Sequence, residues 1–170
     1  VSDIDFFKDG RAAVLTFEGD VWIVSNIGRK LDEIIWNRYA SGLYEPLALV
    51  IRDEEIFVAT KMQINRLHDR EMNGEADYYE NFCNLIIQTG NTREIVSSLI
   101  LKKDGSFYVA KGAALESGPS LHKVVSPGFR AGSFHSGVIM TVSKDGSMVD
   151  TYASGFREPV LGYDPRHDLL

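Results

Sequence analysis

Short apolar runs alternate with turn-forming dipeptides along the chain, and this pattern predicts antiparallel β-strands joined by hairpins. Asp-Gly occurs at residues 9–10, 104–105 and 145–146, each time between two short apolar or alternating runs. Glycine takes positive φ at little cost, so Asp-Gly favours the tight turns that match strand twist. We therefore expect three hairpin tips. The aromatic residues Trp22, Trp36 and Phe17 lie in strand patterns and are expected in the core.

A nine-residue phrase occurs twice. Residues 39–47 read YASGLYEPL and residues 152–160 read YASGFREPV. Self-similarity of this kind indicates a repeated supersecondary unit. The strand pattern gives one unit from Ile4 to Tyr39, a second from Leu47 to Leu67, and a third from Ser98 to Tyr152, and a fourth opens at Val160.

Units of roughly 45 to 55 residues with several strands each are typical of β-propeller blades. We predict an all-β fold, a partial β-propeller of about three blades plus a fragment; a β-sandwich is the alternative. Because three blades do not close a ring, residues 1–170 are expected to form a single propeller segment of a longer, multidomain polypeptide.

Composition excludes several function classes. The net charge is −6 and Lys and Arg form no cluster longer than a pair, which argues against a nucleic-acid partner. No apolar run approaches the roughly 20 residues that span a bilayer. The single cysteine, Cys83, cannot form an internal disulfide and is expected to be a small buried hydrophobe.

Residues 69–80 have the spacing of a calcium loop. Oxygen-bearing side chains stand at loop positions 1, 3, 5, 9 and 12 and glycine at position 6, while position 7 offers its backbone carbonyl. Position 3 departs from the usual pattern because its glutamate is one methylene too long. The alternative is a solvated acidic hairpin tip. The predicted calcium ligands are Asp69, Glu71, Asn73, Glu75, Asp77 and Glu80.

Three segments together resemble the glucose/sorbosone dehydrogenase-like propellers, especially those in large secreted bacterial proteins. The segments are RLHDREMNGEADYYENF, DGSFYVAKGA and GVIMTVSKDGSMVDTYASGFREPVLGYDP. The resemblance covers the chain from Asp3 to Pro165. It implies a six-bladed ring, a periplasmic or extracellular location, bound calcium, a carbohydrate ligand and, in some members, the quinone cofactor PQQ.

The cofactor motif of the quinone-binding members matches only in part. They carry Gly-x-Arg-Asn before the next blade, so the resemblance makes Arg157 a cofactor-binding and catalytic candidate. Glu158 stands where the asparagine belongs, and a carboxylate there would repel the carboxylates of PQQ. A general-base histidine is expected about ten residues before the Asp104-Gly105 hairpin, and Glu94 occupies that place. It could act as the base if burial raised its pKa.

His135 precedes a predicted strand, where propeller loops face the central channel, and is the remaining catalytic candidate; a loop histidine with only local hydrogen bonds is the alternative. Lys111, at the end of another predicted strand, faces either the channel or solvent.

Two functions follow. The first is a catalytically degenerate propeller that serves as a calcium-stabilised binding or scaffold module, with a carbohydrate and the other domains of the polypeptide as partners. The second is a PQQ-type oxidoreductase acting on a sugar or polyol. The absence of the expected asparagine and histidine favours the first.

Overall fold

The computed structural model describes residues 1–28, 30–88, 94–113 and 135–170. These residues form twelve β-strands and one turn of 3-10 helix, Leu31–Glu33, and contain no α-helix. The strands make three four-stranded antiparallel sheets, each a meander in chain order. The predicted all-β class is confirmed, and the described strands form three separate sheets rather than the two layers of a sandwich.

Each sheet uses consecutive strands. Sheet A contains β1 (Asp3–Phe6), β2 (Ala12–Leu15), β3 (Val21–Ser25) and β4 (Ile35–Ala40). Sheet B contains β5 (Ala48–Arg52), β6 (Glu55–Ala59), β7 (Ile64–His68) and β8 (Tyr78–Cys83). Sheet C contains β9 (Val96–Leu101), β10 (Phe107–Lys111), β11 (Val138–Val142) and β12 (Val149–Ser154).

All three Asp-Gly dipeptides lie at hairpin tips, as predicted. Residues 9–10 join β1 to β2, residues 104–105 join β9 to β10, and residues 145–146 join β11 to β12. Their glycines have φ of 90°, 85° and 74°, the conformation that glycine adopts without strain. At the corresponding tip between β5 and β6, Asp53 and Glu54 take positive φ instead, with values of 53° and 66°.

Sheet B is buried on both faces because its side chains alternate between two cores. Leu49, Ile56 and Val58 pack with apolar residues of sheet A. Val50 and Phe57 belong to the core that sheet B shares with sheet C. The three sheets therefore pack in series, with B in the middle.

The first strands of the three sheets lie next to one another: β1 contacts β5, and β5 contacts β9. Asp3 and Asp5 accept hydrogen bonds from the backbone N–H groups of Leu49 and Ile51 at 2.9 and 2.7 Å. These bonds satisfy N–H groups on the edge strand β5 that would otherwise lack partners. Burial at this contact raises the pKa of Asp3.

The other face of sheet A is apolar and has little cover from the described residues. Pairing places Ile4 beside Val14 and Phe6 beside Ala12, with Trp36 in the same row. Ile4, Phe6 and Trp36 are 49%, 60% and 53% exposed. The expectation that Trp36 is a core residue is therefore wrong. It is also wrong for Phe17, which lies beyond β2 in the turn before β3 and is 52% exposed.

Candidate functional site

The acidic loop, residues 69–77, joins β7 to β8, and its carboxylates bind the loop's own backbone. Asp69 accepts hydrogen bonds from the N–H groups of Asn73 and Gly74 at 3.0 and 2.8 Å. Asp77 accepts from Arg70 and Glu71 at 3.0 and 2.9 Å. Gly74 takes the sharp turn with φ of 91°. The two carboxylates thus organise a tight turn.

The remaining loop oxygens lie close by. Asn73 Oδ1 accepts from the N–H of Glu75 at 2.9 Å, and Asn73 Nδ2 donates to Glu71 at 3.4 Å. Four of the predicted side-chain ligands, Asp69, Glu71, Asn73 and Asp77, are therefore held in one loop. Such oxygen donors suit a hard cation such as calcium.

Glu80 lies outside this loop, on β8 directly opposite Arg66 of β7. Its Oε2 is 2.7 Å from His68 Nε2 and 3.6 Å from Arg66 Nη1. The last predicted ligand is therefore engaged in cross-strand pairs. Within the described residues, no three His, Cys, Asp or Glu side chains form a group that could hold a metal ion.

The second predicted site lies at one end of sheet C, where β10 ends at Lys111, β11 begins at Val138 and β12 ends at Ser154. We call this the His135 end. His135 lies three residues before β11, and Arg157 lies three residues after β12. The backbone carbonyl of Arg157 accepts from Ala113 N–H at 2.7 Å. Both residues are therefore at the same end of sheet C.

Glu94 is fully buried beside Lys111. Lys111 Nζ donates to Glu94 Oε2 at 3.2 Å and to the carbonyl of Ile87 at 2.8 Å. Both side chains of the ion pair are 0% exposed. Burial lowers the pKa of Lys111, and the contact with Glu94 opposes that shift. The expectation that Lys111 faces the channel or solvent is wrong, because its charge is matched inside the protein.

Ile87 also connects this ion pair to His135. The N–H of Ile87 donates to His135 Nδ1 at 2.9 Å. An accepting Nδ1 carries no proton, so the neutral ring carries its proton on Nε2. Burial, and secondarily the charge of Lys111, lowers the pKa of His135 and favours this neutral form.

Sequence reasoning missed the pairing of Lys111 with Glu94. A related pair exists in sheet B, where Lys61 donates to Glu45 at 2.7 Å. In both pairs a glutamate shortly before a sheet's first strand meets a lysine near the end of its second strand. The sequence signal is a Lys at the end of an apolar strand, with a Glu about sixteen residues earlier.

No protein-family model matches the chain, and no curated protein matches it. A crystal structure of a protein of unknown function from Bacteroides caccae aligns with a TM-score of 0.49 and 14% identity. The alignment covers 87% of this chain and 48% of that one, so the chain spans about half the length of that protein. Among the described residues, no helix is long and apolar enough to cross a membrane.

Proposed function

We propose that the chain is part of a β-propeller that acts as a catalytically degenerate binding or scaffold module, stabilised by calcium. The buried ion pair of Glu94 and Lys111 is the observation that most favours a binding module over an enzyme. A periplasmic or extracellular location and a carbohydrate ligand follow from the resemblance to the glucose/sorbosone dehydrogenase-like propellers.

Three features support the propeller. Each sheet is a four-stranded meander, and the first strands β1, β5 and β9 lie next to each other in order. Residues 159–163 continue this arrangement. Ser98 Oγ accepts from the N–H of Leu161 at 3.1 Å, much as Asp3 accepts from Leu49. Residues 159–163 are therefore the segment that we propose as the first strand of a fourth blade.

The exposed apolar face of sheet A supports the proposal that the propeller has further blades. Ile4, Phe6 and Trp36 form a contiguous apolar surface of the kind that marks an interface. The opposite face of the same sheet packs on sheet B through alternating residues such as Ala13 and Leu15. Another sheet of the same polypeptide is the cover we propose for the exposed face, completing a ring of six.

The candidate catalytic residues are poorly suited to proton abstraction. A general base needs a free acceptor within reach of the substrate hydroxyl. Glu94 is buried and ion-paired with Lys111, and His135 uses its acceptor nitrogen to bind Ile87. His135 Nε2 and the exposed Arg157 can instead donate hydrogen bonds to a ligand. This arrangement supports binding without oxidation.

The alternative is a PQQ-type oxidoreductase, in which the cofactor would accept a hydride from a sugar or polyol. Arg157 would hold a carboxylate of PQQ, because guanidinium groups bind carboxylates bidentately. Glu158 beside it is exposed and would repel that carboxylate. Titration of the full polypeptide with PQQ tests this alternative: saturable binding with sugar-dependent reduction would favour the enzyme.

Calcium binding is tested by thermal unfolding in calcium and in chelator. A ligand that binds only the folded state stabilises it by about 2.7 kcal/mol at a hundredfold excess over Kd. We expect calcium to raise the Tm of the wild type and to leave the Tm of the Asp69→Asn variant unchanged. Asp53→Asn is the matched control, since Asp53 is an exposed acid in a turn of the same sheet and should keep the calcium response.

Identical wild-type melting in calcium and chelator would reject the metal site. A calcium response that survives Asp69→Asn would place the ion elsewhere. A calcium response without PQQ binding is the combination expected for the binding module.

A further inference from the structure

A groove of about 490 Å³ lies between sheets A and B, on the side of the hairpin tips and away from the His135 end. Phe7, Ile23 and Ile56 supply its apolar surface, and the acidic loop and the tip between β5 and β6 form part of its rim. The strand register places Asn37 beside Ile23, on the face of sheet A that points toward sheet B. The volume is within the range of small-molecule sites.

The corresponding space between sheets B and C is filled by an arginine and three aromatic rings. Arg52 extends from the end of β5, and its Nη1 donates to the backbone carbonyls of Gly105 and Lys144 at 2.9 Å each. The rings are those of Phe57, Phe82 and Phe107, whose centroids lie 4.4, 5.3 and 5.0 Å from Arg52 Cζ. A guanidinium group therefore connects sheet B to two turns of sheet C.

Smaller side chains at the interface between sheets A and B leave the same space open. The strand registers match Phe57 on β6 with Ala13 on β2. They match Phe107 on β10 with Ile56 on β6 in the same way. The groove is therefore the volume that the two larger rings occupy at the next interface.

The two residues that hold the guanidinium of Arg52 have counterparts that line the groove. Each stands two residues from the matched position or from its ladder partner. Gly105 corresponds to Glu54, and Lys144 corresponds to Asp69. Sheet A does not supply the matching cation, because Phe7 closes the ladder between β1 and β2 where Arg52 closes the ladder between β5 and β6.

Tyr39 supplies an aromatic ring to the groove. It is the extra residue of the bulge in β4, as Phe82 is in β8, so it corresponds to one of the rings around Arg52. Burial, and secondarily the charge of Asp69, raises the pKa of Tyr39, which places the Asp69 carboxylate near this ring. An aromatic face beside a carboxylate favours a cationic ligand.

Glu54 brings a second carboxylate to the boundary between the two sheets. Its Oε1 accepts from the N–H of Lys8 in sheet A at 3.4 Å. Arg11 also borders the groove, but its charge is matched by Asp9 of its own hairpin at 2.7 Å. The carboxylates at the rim are therefore not balanced by Arg11.

We propose that this groove binds the guanidinium group of an arginine side chain that another polypeptide segment presents. The guanidinium donates to the backbone carbonyls of Glu54 and Asp69 and packs against Tyr39, as Arg52 does with the corresponding residues of the next interface. The carboxylates of Glu54 and Asp69 strengthen these hydrogen bonds. The site goes beyond the proposed function and does not use the His135 end.

Isothermal titration calorimetry of the full polypeptide with N-acetyl-L-arginine amide tests the site, because the guanidinium is the only charge of that compound. Low salt and a chelator are used, so that calcium does not compete for Asp69. We expect saturable binding that weakens as salt is added. N-acetyl-L-citrulline amide keeps the shape, loses the charge and should not bind. N-acetyl-L-lysine amide should bind about fivefold more weakly or worse, since an ammonium group cannot stack as a plane on a ring.

Two variants of the tip between β5 and β6 separate the groove carboxylate from its neighbour. Glu54→Gln should weaken binding of the arginine compound about fivefold or more, since it removes a charge at the rim. Asp53→Asn removes an equal charge from the adjacent residue of the same tip, which does not line the groove. This control should change the affinity by about twofold or less.

A gain of affinity is expected when a carboxylate is added to the groove side of sheet A. Asn37 occupies the register position that Glu80 holds next to Arg66 in sheet B. Asn37→Asp should therefore tighten binding about threefold or more. Arg38→Gln makes the same change in net charge on the opposite face of sheet A, where Arg38 pairs with Trp22, and should have an effect of about twofold or less. Circular dichroism and melting curves establish that each variant is folded.

No saturable heat with the arginine compound would overturn the proposal, and so would equal binding of the citrulline or lysine compound. Equal effects within either matched pair of variants would reduce the result to the general field of the protein and would also overturn it. Free L-arginine that binds tenfold or more tightly than the capped compound would assign the groove to a free amino acid instead of a polypeptide segment.

Discussion

The two copies of the repeated phrase, residues 39–47 and 152–160, adopt the same turn but lie in different surroundings. In both, the phrase glycine has positive φ: 79° at Gly42 and 94° at Gly155. The next N–H donates to the carbonyl of a glycine in a loop of the preceding sheet. Leu43 donates to Gly19 at 3.1 Å and Phe156 donates to Gly137 at 3.0 Å.

The second half of each phrase is where they differ. The carbonyl of Tyr44 accepts from Lys61 N–H in the following sheet, and Glu45 pairs with the Lys61 side chain. The carbonyl of Arg157 accepts from Ala113 of the preceding sheet, and Glu158 is exposed. In both copies the preceding sheet accepts a hydrogen bond from the turn, and in the first copy the following sheet supplies the lysine that pairs with the partly buried glutamate.

The largest expected effects on unfolding free energy come from replacing a glutamate that stands shortly before the first strand of a sheet. Glu94→Gln removes the carboxylate that is ion-paired with the fully buried Lys111 and should cost about 3 to 5 kcal/mol of unfolding free energy. Glu45→Gln should cost about 1 to 3 kcal/mol, because Lys61 is 8% and Glu45 29% exposed. Glu158→Gln should change stability by less than about 0.5 kcal/mol. Urea unfolding measures all three.

A double variant separates loss of the charge from loss of packing. Glu94→Leu with Lys111→Met removes both charges and should be much closer to wild type than Glu94→Gln alone. Equal costs for the Gln variants at 45 and 158 would show that the two copies are equivalent after all.

The next largest loss of stability is expected at the contact that both copies share, between the phrase and a glycine of the preceding loop. A Cβ on Gly19 would lie 2.2 Å from the Leu43 carbonyl oxygen, and one on Gly137 would lie 2.1 Å from that of Phe156. Gly19→Ala and Gly137→Ala should each lose about 3 kcal/mol, combining the strain of positive φ with a collision against backbone.

Gly42→Ala and Gly155→Ala are the controls for that collision. Both positions have positive φ, but a Cβ there would meet nothing within 4 Å. These variants should lose only about 1 kcal/mol, the cost of the left-handed conformation. Similar losses at all four glycines would mean that strain alone, and not the contact between loop and phrase, holds the turn.

Local sequence signals predicted much of the fold and less of the candidate site. The Asp-Gly tips are correct because glycine at positive φ is a local requirement. The start of strand β8 was not predicted, since Tyr78–Cys83 begins inside the stretch that was interpreted as a calcium loop. Its start explains why Glu80 faces Arg66 across the ladder.

The features that the sequence did not predict depend on contacts between residues that are far apart in the chain. The turn between β2 and β3 cannot reveal that Gly19 must leave room for Leu43, twenty-four residues later. Lys111 resembles a solvent-facing strand end until the pairing with Glu94 is known. Trp36 resembles a core residue because the pattern marks an apolar face but cannot identify what covers it.

The smallest expected effect is a pH dependence confined to the second copy. The loop ahead of the second copy carries His135, whereas the turn ahead of the first, residues 16–20, contains no histidine. Burial and the charge of Lys111 lower the pKa of His135, so the unfolded chain takes up a proton at higher pH than the folded one. Unfolding free energy should therefore be unaffected above the ordinary histidine pKa and should fall as the pH drops below it.

The variant His135→Asn isolates the contribution of His135 to this pH dependence. Its amide oxygen can still accept from Ile87 N–H, while the side chain no longer titrates. Urea unfolding between pH 8 and pH 5 should show a decline in wild type that is shallower in the variant, and the difference should amount to at most one proton. Because the other histidines are common to both proteins, their titrations cancel in the difference. Parallel curves for the two proteins would show that His135 titrates alike in the folded and unfolded chains, and the Nδ1 contact would then add nothing to the stability of the His135 end.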